Sequence, residues 1–302
     1  MVTDLRPLRR PRVSLCRRGV LLGAAALSLA RPAVAAAPSR IAAIDWAMLE
    51  TTLALGVTPV AASELLLFRK AAIEPVVPDA VADLGLRGSI AYEQLHAARP
   101  DIVLISPWYE NRAHILSRIA PVASFSIYEP GRPPYDAAVA ATRALGMRLG
   151  RTIEAERAIE EASLEIEACR RSLSALGGRS VLIMNLGDAR HFRAFGADSM
   201  FGDVLGRLGL ACAWIEPTAF GAYPTVGVET LAGMTDAIVV NVGPTPPSAL
   251  AEMRASPLWR AMPSIAEGRF VEMEPVNPYG ALRAARRFAR LLTGALGPLA
   301  HA

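Results

Sequence analysis

Catalytic and metal-binding signatures are what this 302-residue sequence lacks. It has no Gly-x-Ser-x-Gly turn, no P-loop, no His-Glu-x-x-His and no Cys-x-x-Cys, so the usual hydrolase, nucleotide, zinc-protease and thiol-redox chemistries have no foothold. Histidine occurs only at positions 96, 114, 191 and 301, with no spacing suited to a metal; each reads as a structural histidine. The glycines of Gly202-Asp203-Val204-Leu205-Gly206 lack the strand–turn–helix setting of a dinucleotide site.

Cysteine is as scarce, at positions 16, 169 and 212. Cys16 precedes an apolar run and is badly placed for lipid attachment at a cleavage site. Cys169 and Cys212 are expected to be buried free thiols, although an exported chain could join them. Beyond the N-terminal segment no eighteen apolar residues run uninterrupted, which excludes a spanning helix there.

The formal net charge of +4 is misleading. Residues 1–37 hold seven arginines and one acid, Asp4, which leaves 25 basic and 27 acidic groups in the remainder. The basic balance belongs to the N-terminus and does not argue for nucleic-acid binding. There Cys16-Arg17-Arg18-Gly19 leads into the apolar run from Val20 to Ala30, followed by Ala33-Val34-Ala35. This is the order of a signal peptide, expected over 1–35. The paired arginines resemble a twin-arginine signal, with an ordinary secretory signal as the alternative. The mature protein is expected to be soluble, exported and monomeric.

From Arg40 onward, short apolar runs alternate with helical stretches. Strands are expected at 40–44, 57–61, 101–106 and 121–127, with helices at 47–55, 91–98 and 112–119, a pattern of parallel α/β units. Thr152 to Leu176 contains no Gly or Pro. Ile159, Ala162, Ile166, Cys169, Leu173 and Leu176 recur at spacings of three and four, as on one face of a helix. The glutamates around them read as a solvated face, and Gly177-Gly178 ends the helix. A second alternation follows, with strands at 180–186, 191–195, 211–216, 237–242 and 269–273 and a last helix at 280–296.

The expected fold is therefore α/β, two lobes with small mostly parallel sheets joined by one long rigid helix. The N-terminal lobe spans 36–150, the connecting helix 151–177 and the C-terminal lobe 178–302. A helix resists bending, so large closure is not expected. Ligands of open α/β sheets sit beyond the strand C-termini, which directs attention to Trp108 and Tyr109, just after 101–106, and to Arg87 in a neighbouring loop.

An exported two-lobe chain without a catalytic set fits a transport receptor. Three segments carry a closer resemblance: the Gly-Leu-Arg loop in PDAVADLGLRGSIAYEQL (78–95), Ser-x-x-Tyr in RPDIVLISPWYENRAHILSRIAP (99–121), and Pro-Leu-Trp-x-Ala-Met-Pro at 257–263. Together they resemble the periplasmic binding proteins for ferric hydroxamate siderophores, the helical-backbone class serving ATP-binding cassette importers. The likeness runs over nearly all of 40–297.

The resemblance implies roles. Arg87 and Tyr109 would approach the hydroxamate oxygens around an iron the protein does not ligate. A guanidinium fork and a phenol suit that oxygen shell, which is the partner expected of Arg87 in place of a phosphate or protein carboxylate. Trp108, Trp46 and Tyr279 are further cleft candidates. Asn277 stands where the family has a tryptophan. Near Gly221, another family tryptophan position, Phe220 and Tyr223 are possible substitutes. Arg193 falls where a relative has an apolar cleft residue, implying a more polar or acidic ligand, such as one with carboxylates. Glu110 and Glu229 are candidates for docking to the inner-membrane permease, which works with its ATPase. The chelate would be cargo, with no cofactor and no reaction. Alternatives are a haem or cobalamin receptor of the same fold, which Tyr109 keeps open as an axial ligand, an exported α/β enzyme, and a direct metal-ion receptor.

Overall fold

Strand β1 (Ile41–Ala43) is apolar along its whole length and wholly buried, as a strand covered on both faces should be. In the computed structural model, which describes residues 37–220 and 225–300, it is the centre of a five-stranded sheet. Helix α1 (Trp46–Ala54) follows it, then β2 (Ala61–Ala62), α2 (Leu65–Ala71), β3 (Ala82–Asp83), α3 (Tyr92–Ala97), β4 (Ile102–Ile105), α4 (Ala113–Leu116) and β5 (Val122–Ser124). The order is β3-β2-β1-β4-β5, and every pairing is parallel. The chain winds to one side of β1 and then to the other. The switch point between β1 and β4 opens the crevice where ligands bind in such sheets.

Two helices follow, α5 (Tyr135–Leu149) and α6 (Thr152–Ser172). The second lobe contains β6 (Ser180–Leu186), β7 (His191–Phe195), α7 (Met200–Arg207), β8 (Ala211–Cys212), β9 (Val226–Gly227), β10 (Ile238–Val242), α8 (Pro247–Ala255), α9 (Pro257–Ala261), α10 (Pro263–Ala266), β11 (Phe270–Met273) and α11 (Leu282–Ala300). Its sheet runs β11-β10-β6-β7-β9, with β8 also on β6. It is mixed: β7 is antiparallel to β6 and to β9, while β8, β10 and β11 pair in parallel.

The expected strands at 180–186 and 191–195 coincide with β6 and β7. The one expected at 57–61 is displaced to Ala61–Ala62. The two-residue strands β3 and β9, and helices α2 and α5, are not among the expected elements: two residues give no periodicity, and alanine-rich or turn-flanked helices give little.

The long helix buries the stripe its spacing indicates: Ala162, Ile166, Cys169 and Leu173 belong to one core with Ile41 and Leu104 of the first lobe and Ile183 and Val240 of the second, and Ile159 packs against it. It does not act alone, because α5 and α11 both pack on it. Its glutamates are also not all a solvated face. Arg286 of α11 donates to Glu165 at 2.6 Å and Glu161 at 2.7 Å, and Arg290 to Glu165 at 3.1 Å. The spine is thus a helical layer shared by both lobes, stiffer than one rod.

Cys169 and Cys212 are free thiols. Among the described residues no helix is long and apolar enough to cross a membrane. The signal peptide expected over 1–35 lies outside the described residues.

Candidate functional site

The loops leaving β1 and β4 meet through Asp45. This buried residue caps α1: its Oδ1 accepts from the amides of Ala47 at 2.8 Å and Met48 at 3.3 Å, the usual N-cap role of aspartate. Its Oδ2 accepts from the Ser106 hydroxyl at 2.8 Å. Burial raises the Asp45 pKa, opposed by these hydrogen bonds. The capping thereby fastens Trp46, which opens α1, beside the turn that carries Trp108 and Tyr109.

Trp46 is held in place by its indole N–H, which donates to the Ser63 carbonyl at 3.1 Å, and by Phe68 edge-on at 5.2 Å. The Arg87 guanidinium lies 3.8 Å over the Trp46 ring, a cation–π arrangement. Contrary to expectation, Arg87 has a protein carboxylate as partner: its Nε donates to Glu64 Oε2 at 2.5 Å. Glu64 begins α2 in the left-handed conformation, with φ 58°. Arg112 holds the Arg87 loop from outside, its Nη1 and Nη2 donating to the carbonyls of Arg87 and Gly88, each at 2.7 Å. Tyr109 is almost buried, at 9% exposure. Burial pushes its phenol pKa up, with the Arg87 charge pulling the other way.

An aromatic cluster joins the lobes across the cleft. Trp108 and Tyr128 come from the first lobe, Phe220 and Tyr279 from the second, with ring centroids 5.6 to 6.2 Å apart. Trp108 stacks on Tyr128 and meets Tyr279 edge-on, geometries that suit the ring quadrupoles. Trp108 is still 46% exposed, so its face is available. The Tyr128 hydroxyl donates to the Gly280 carbonyl at 2.5 Å.

These walls bound a cleft of about 830 Å³, large enough for a bulky organic ligand. Trp46, Arg87, Trp108, Tyr109, Arg193 and Tyr279 all line it, with Phe220. Arg193 on β7 faces Asn185 on β6 as its register partner, and Asn185 also lines the cleft, its amide donating to the Val242 carbonyl at 2.7 Å.

One cleft candidate of the sequence lies elsewhere. Asn277 does not line the cleft: it is buried beneath it, its amide donating to Glu50 Oε1 at 2.7 Å. Only a small polar side chain fills that place and reaches the buried carboxylate. Tyr223 lies outside the described residues, as does Gly221. Glu110 and Glu229 are exposed on different lobes, Glu110 accepting from the Ser124 hydroxyl at 2.7 Å. Sequence reasoning missed Glu64, Arg112, Asn185 and Tyr128. None sits in a motif; the fold brings Glu64, Arg112 and Asn185 to the cleft lining and Tyr128 against Trp108. Among the described residues, no group of three or more His, Cys, Asp or Glu is placed to hold a metal ion.

Comparison with known proteins follows the same lines. The chain is 31% identical over 265 residues to the iron(3+)-hydroxamate-binding protein FhuD of Escherichia coli K12, covering 88% of this chain and 89% of that one. The crystal structure of FhuD from Vibrio cholerae with Fe3+-Desferal superposes with a TM-score of 0.79 at 26% identity, covering 86% and 98% of the two chains. The catecholate-siderophore binding protein VctP of Vibrio cholerae shares the fold, with a TM-score of 0.64 at 17% identity over 87% and 94%. The profile of the periplasmic binding proteins matches residues 41–276. With most of its length so matched, the chain belongs to the periplasmic binding protein family.

Proposed function

We propose that this protein captures an iron(III)–siderophore of the hydroxamate type and delivers it to an ATP-binding cassette importer. The observation that carries the reading is Arg87 and Tyr109 side by side in the cleft, next to the half-exposed face of Trp108. A hydroxamate siderophore already surrounds its Fe3+ with oxygen, so the protein needs donors for that shell and no metal ligands. Of the five N–H donors of Arg87, Glu64 takes the one on Nε, and the others stand beside the Tyr109 phenol, with which Arg87 is hydrogen-bonded. The aromatic cluster offers apolar cover for the organic backbone of the chelate.

On this reading the protein works outside the cytoplasmic membrane as a monomer, exported by a signal over 1–35 of twin-arginine type. Glu110 and Glu229, exposed on the two lobes, are the side chains that meet the permease, which acts with its ATPase. The chelate is cargo, and no reaction is catalysed.

Tryptophan fluorescence titration with ferric hydroxamates, ferric catecholates and haem tests the reading. Saturable quenching by hydroxamates is expected. No response to any hydroxamate, or an intense Soret band on haem addition, would sink it.

A further inference from the structure

Among the described residues that line the cleft, Glu64 is the only carboxylate. It follows β2, and Arg87 follows β3, the parallel neighbour of β2, so both emerge at one edge of the sheet. The Glu64 amide donates to the Gly85 carbonyl at 2.7 Å, which ties its backbone to the loop that carries Arg87. Glu64 is left-handed, with φ 58°, a conformation that a residue with a Cβ resists. The fold holds it there with its Oε2 2.5 Å from Arg87 Nε. Both side chains are largely shielded, Arg87 at 21% and Glu64 at 15% exposure, so water screens their fields only in part. A negative charge therefore stands directly behind the guanidinium that faces the ligand.

Iron chelates differ in the charge of their oxygen shell. Three hydroxamate monoanions around Fe3+ leave no net charge, whereas three catecholate dianions leave three negative charges. A lone guanidinium would attract the catecholate shell more strongly. We propose that Glu64 is a specificity-determining residue, which offsets the Arg87 charge and repels anionic shells, so that the cleft takes neutral hydroxamate chelates in preference to catecholates. Arg87 then recognises oxygen through its donors more than through its charge. The inference rests on the hydroxamate reading and gives it a physical cause. It runs opposite to the acidic ligand that Arg193 suggests from the sequence, and the same titrations decide between the two.

The test uses hexadentate chelators on one backbone, with none, one or all of the hydroxamates replaced by catecholate, so that the ferric complexes are neutral, singly and triply negative. Each is titrated by tryptophan fluorescence at low salt against the unaltered protein and Glu64→Gln, whose amide oxygen can still accept from Arg87 Nε. The unaltered protein is expected to bind the neutral complex most tightly. Glu64→Gln should change that affinity by no more than about twofold and tighten the triply negative complex at least about tenfold, the singly negative one falling between. All other charges of the cleft are common to the two proteins, so the comparison isolates Glu64. Glu64→Asn, whose side chain tolerates the left-handed conformation, is a second neutral variant, and circular dichroism checks the fold of each. No gain for the triply negative complex in a folded neutral variant overturns the proposal, and so does its tighter binding by the unaltered protein. Unfolding of both variants would make Glu64 structural and overturn it as well. If the unaltered protein binds no trihydroxamate, the hydroxamate reading itself falls, and the inference with it.

Discussion

Glu50 and Asn277, 227 positions apart in the chain, meet at 2.7 Å beneath the cleft. Glu50 is fully buried on α1 of the first lobe. Its Oε2 also accepts from the Ala281 amide at 3.0 Å, just before α11. A carboxylate from one lobe thus sits at the N-terminus of a long helix of the other, where backbone N–H groups and the helix dipole favour negative charge. With Tyr128 and Gly280 joined nearby, this contact ties the lobes at the base of the cleft.

Burial raises the Glu50 pKa from 4.5 to about 7, against the opposing pull of the Asn277, Ala281 and Ala284 hydrogen bonds. The folded state therefore holds its proton more tightly than the unfolded chain, and its contribution to stability is fully present below about pH 4.5 and lost as the pH rises through about 7. Urea unfolding from pH 4.5 to 8 should show this loss, on the order of 3 kcal/mol at most. Glu50→Gln removes the titration. The difference between the two proteins should vary with pH in that window, and a constant difference would contradict the assignment.

Arg87→Ala should weaken ferric hydroxamate binding at least about tenfold, since a charged donor is lost. The fold should survive, because a partly buried ion pair and one ring contact are worth about 1–2 kcal/mol. Calorimetric titration with circular dichroism separates the two effects; an unfolded variant would show that Arg87 is structural. Glu64→Gln removes the carboxylate beside the ligand oxygens and is expected to tighten binding, most of all for anionic chelates.

Of the tryptophans, Trp46 and Trp108 line the cleft, while Trp214 and Trp259 pack in the second-lobe core. Ligand-induced quenching should fall most in Trp108→Phe and Trp46→Phe and least in Trp259→Phe. Equal losses from all three would place the ligand elsewhere.

Gly280→Ala should destabilise the protein by about 1–3 kcal/mol. A Cβ there would stand 2.5 Å from Glu50 Oε2 and also press on the Ala284 side chain. Urea unfolding measures the loss. An unaltered midpoint would mean that the lobes are not clamped at this point.

In a chain lacking residues 1–35, thiol titration should give two reactive groups after denaturation and slow reaction of Cys169 before it, since Cys169 is buried and neither cysteine is in a disulfide. The fully oxidised chain would give none.

Much of the fold was legible because periodicity is local. Residues 180–186 are apolar and bounded by turns, and the 159–176 stripe needs only a helix to be seen. The cleft was legible only in part. The position beyond a strand end pointed to Trp108, Tyr109 and Arg87, while their roles, and Tyr279 altogether, came from resemblance, since no local pattern distinguishes a ligand-facing aromatic from a core one. Asn277 was misassigned because its register near the cleft was visible while its direction was not.

By itself the sequence determined the alternation of strand and helix, the length and buried face of α6, and the absence of catalytic motifs. These follow from hydrophobic period and residue chemistry, which act over a few positions. Only the tertiary structure decided that α5, α6 and α11 form one spine, that Glu64 rather than a ligand atom holds Arg87 Nε, and that Asn277 serves Glu50. Those relationships join residues distant in the chain. A buried charge must find its partner in space, wherever the chain brings one within reach.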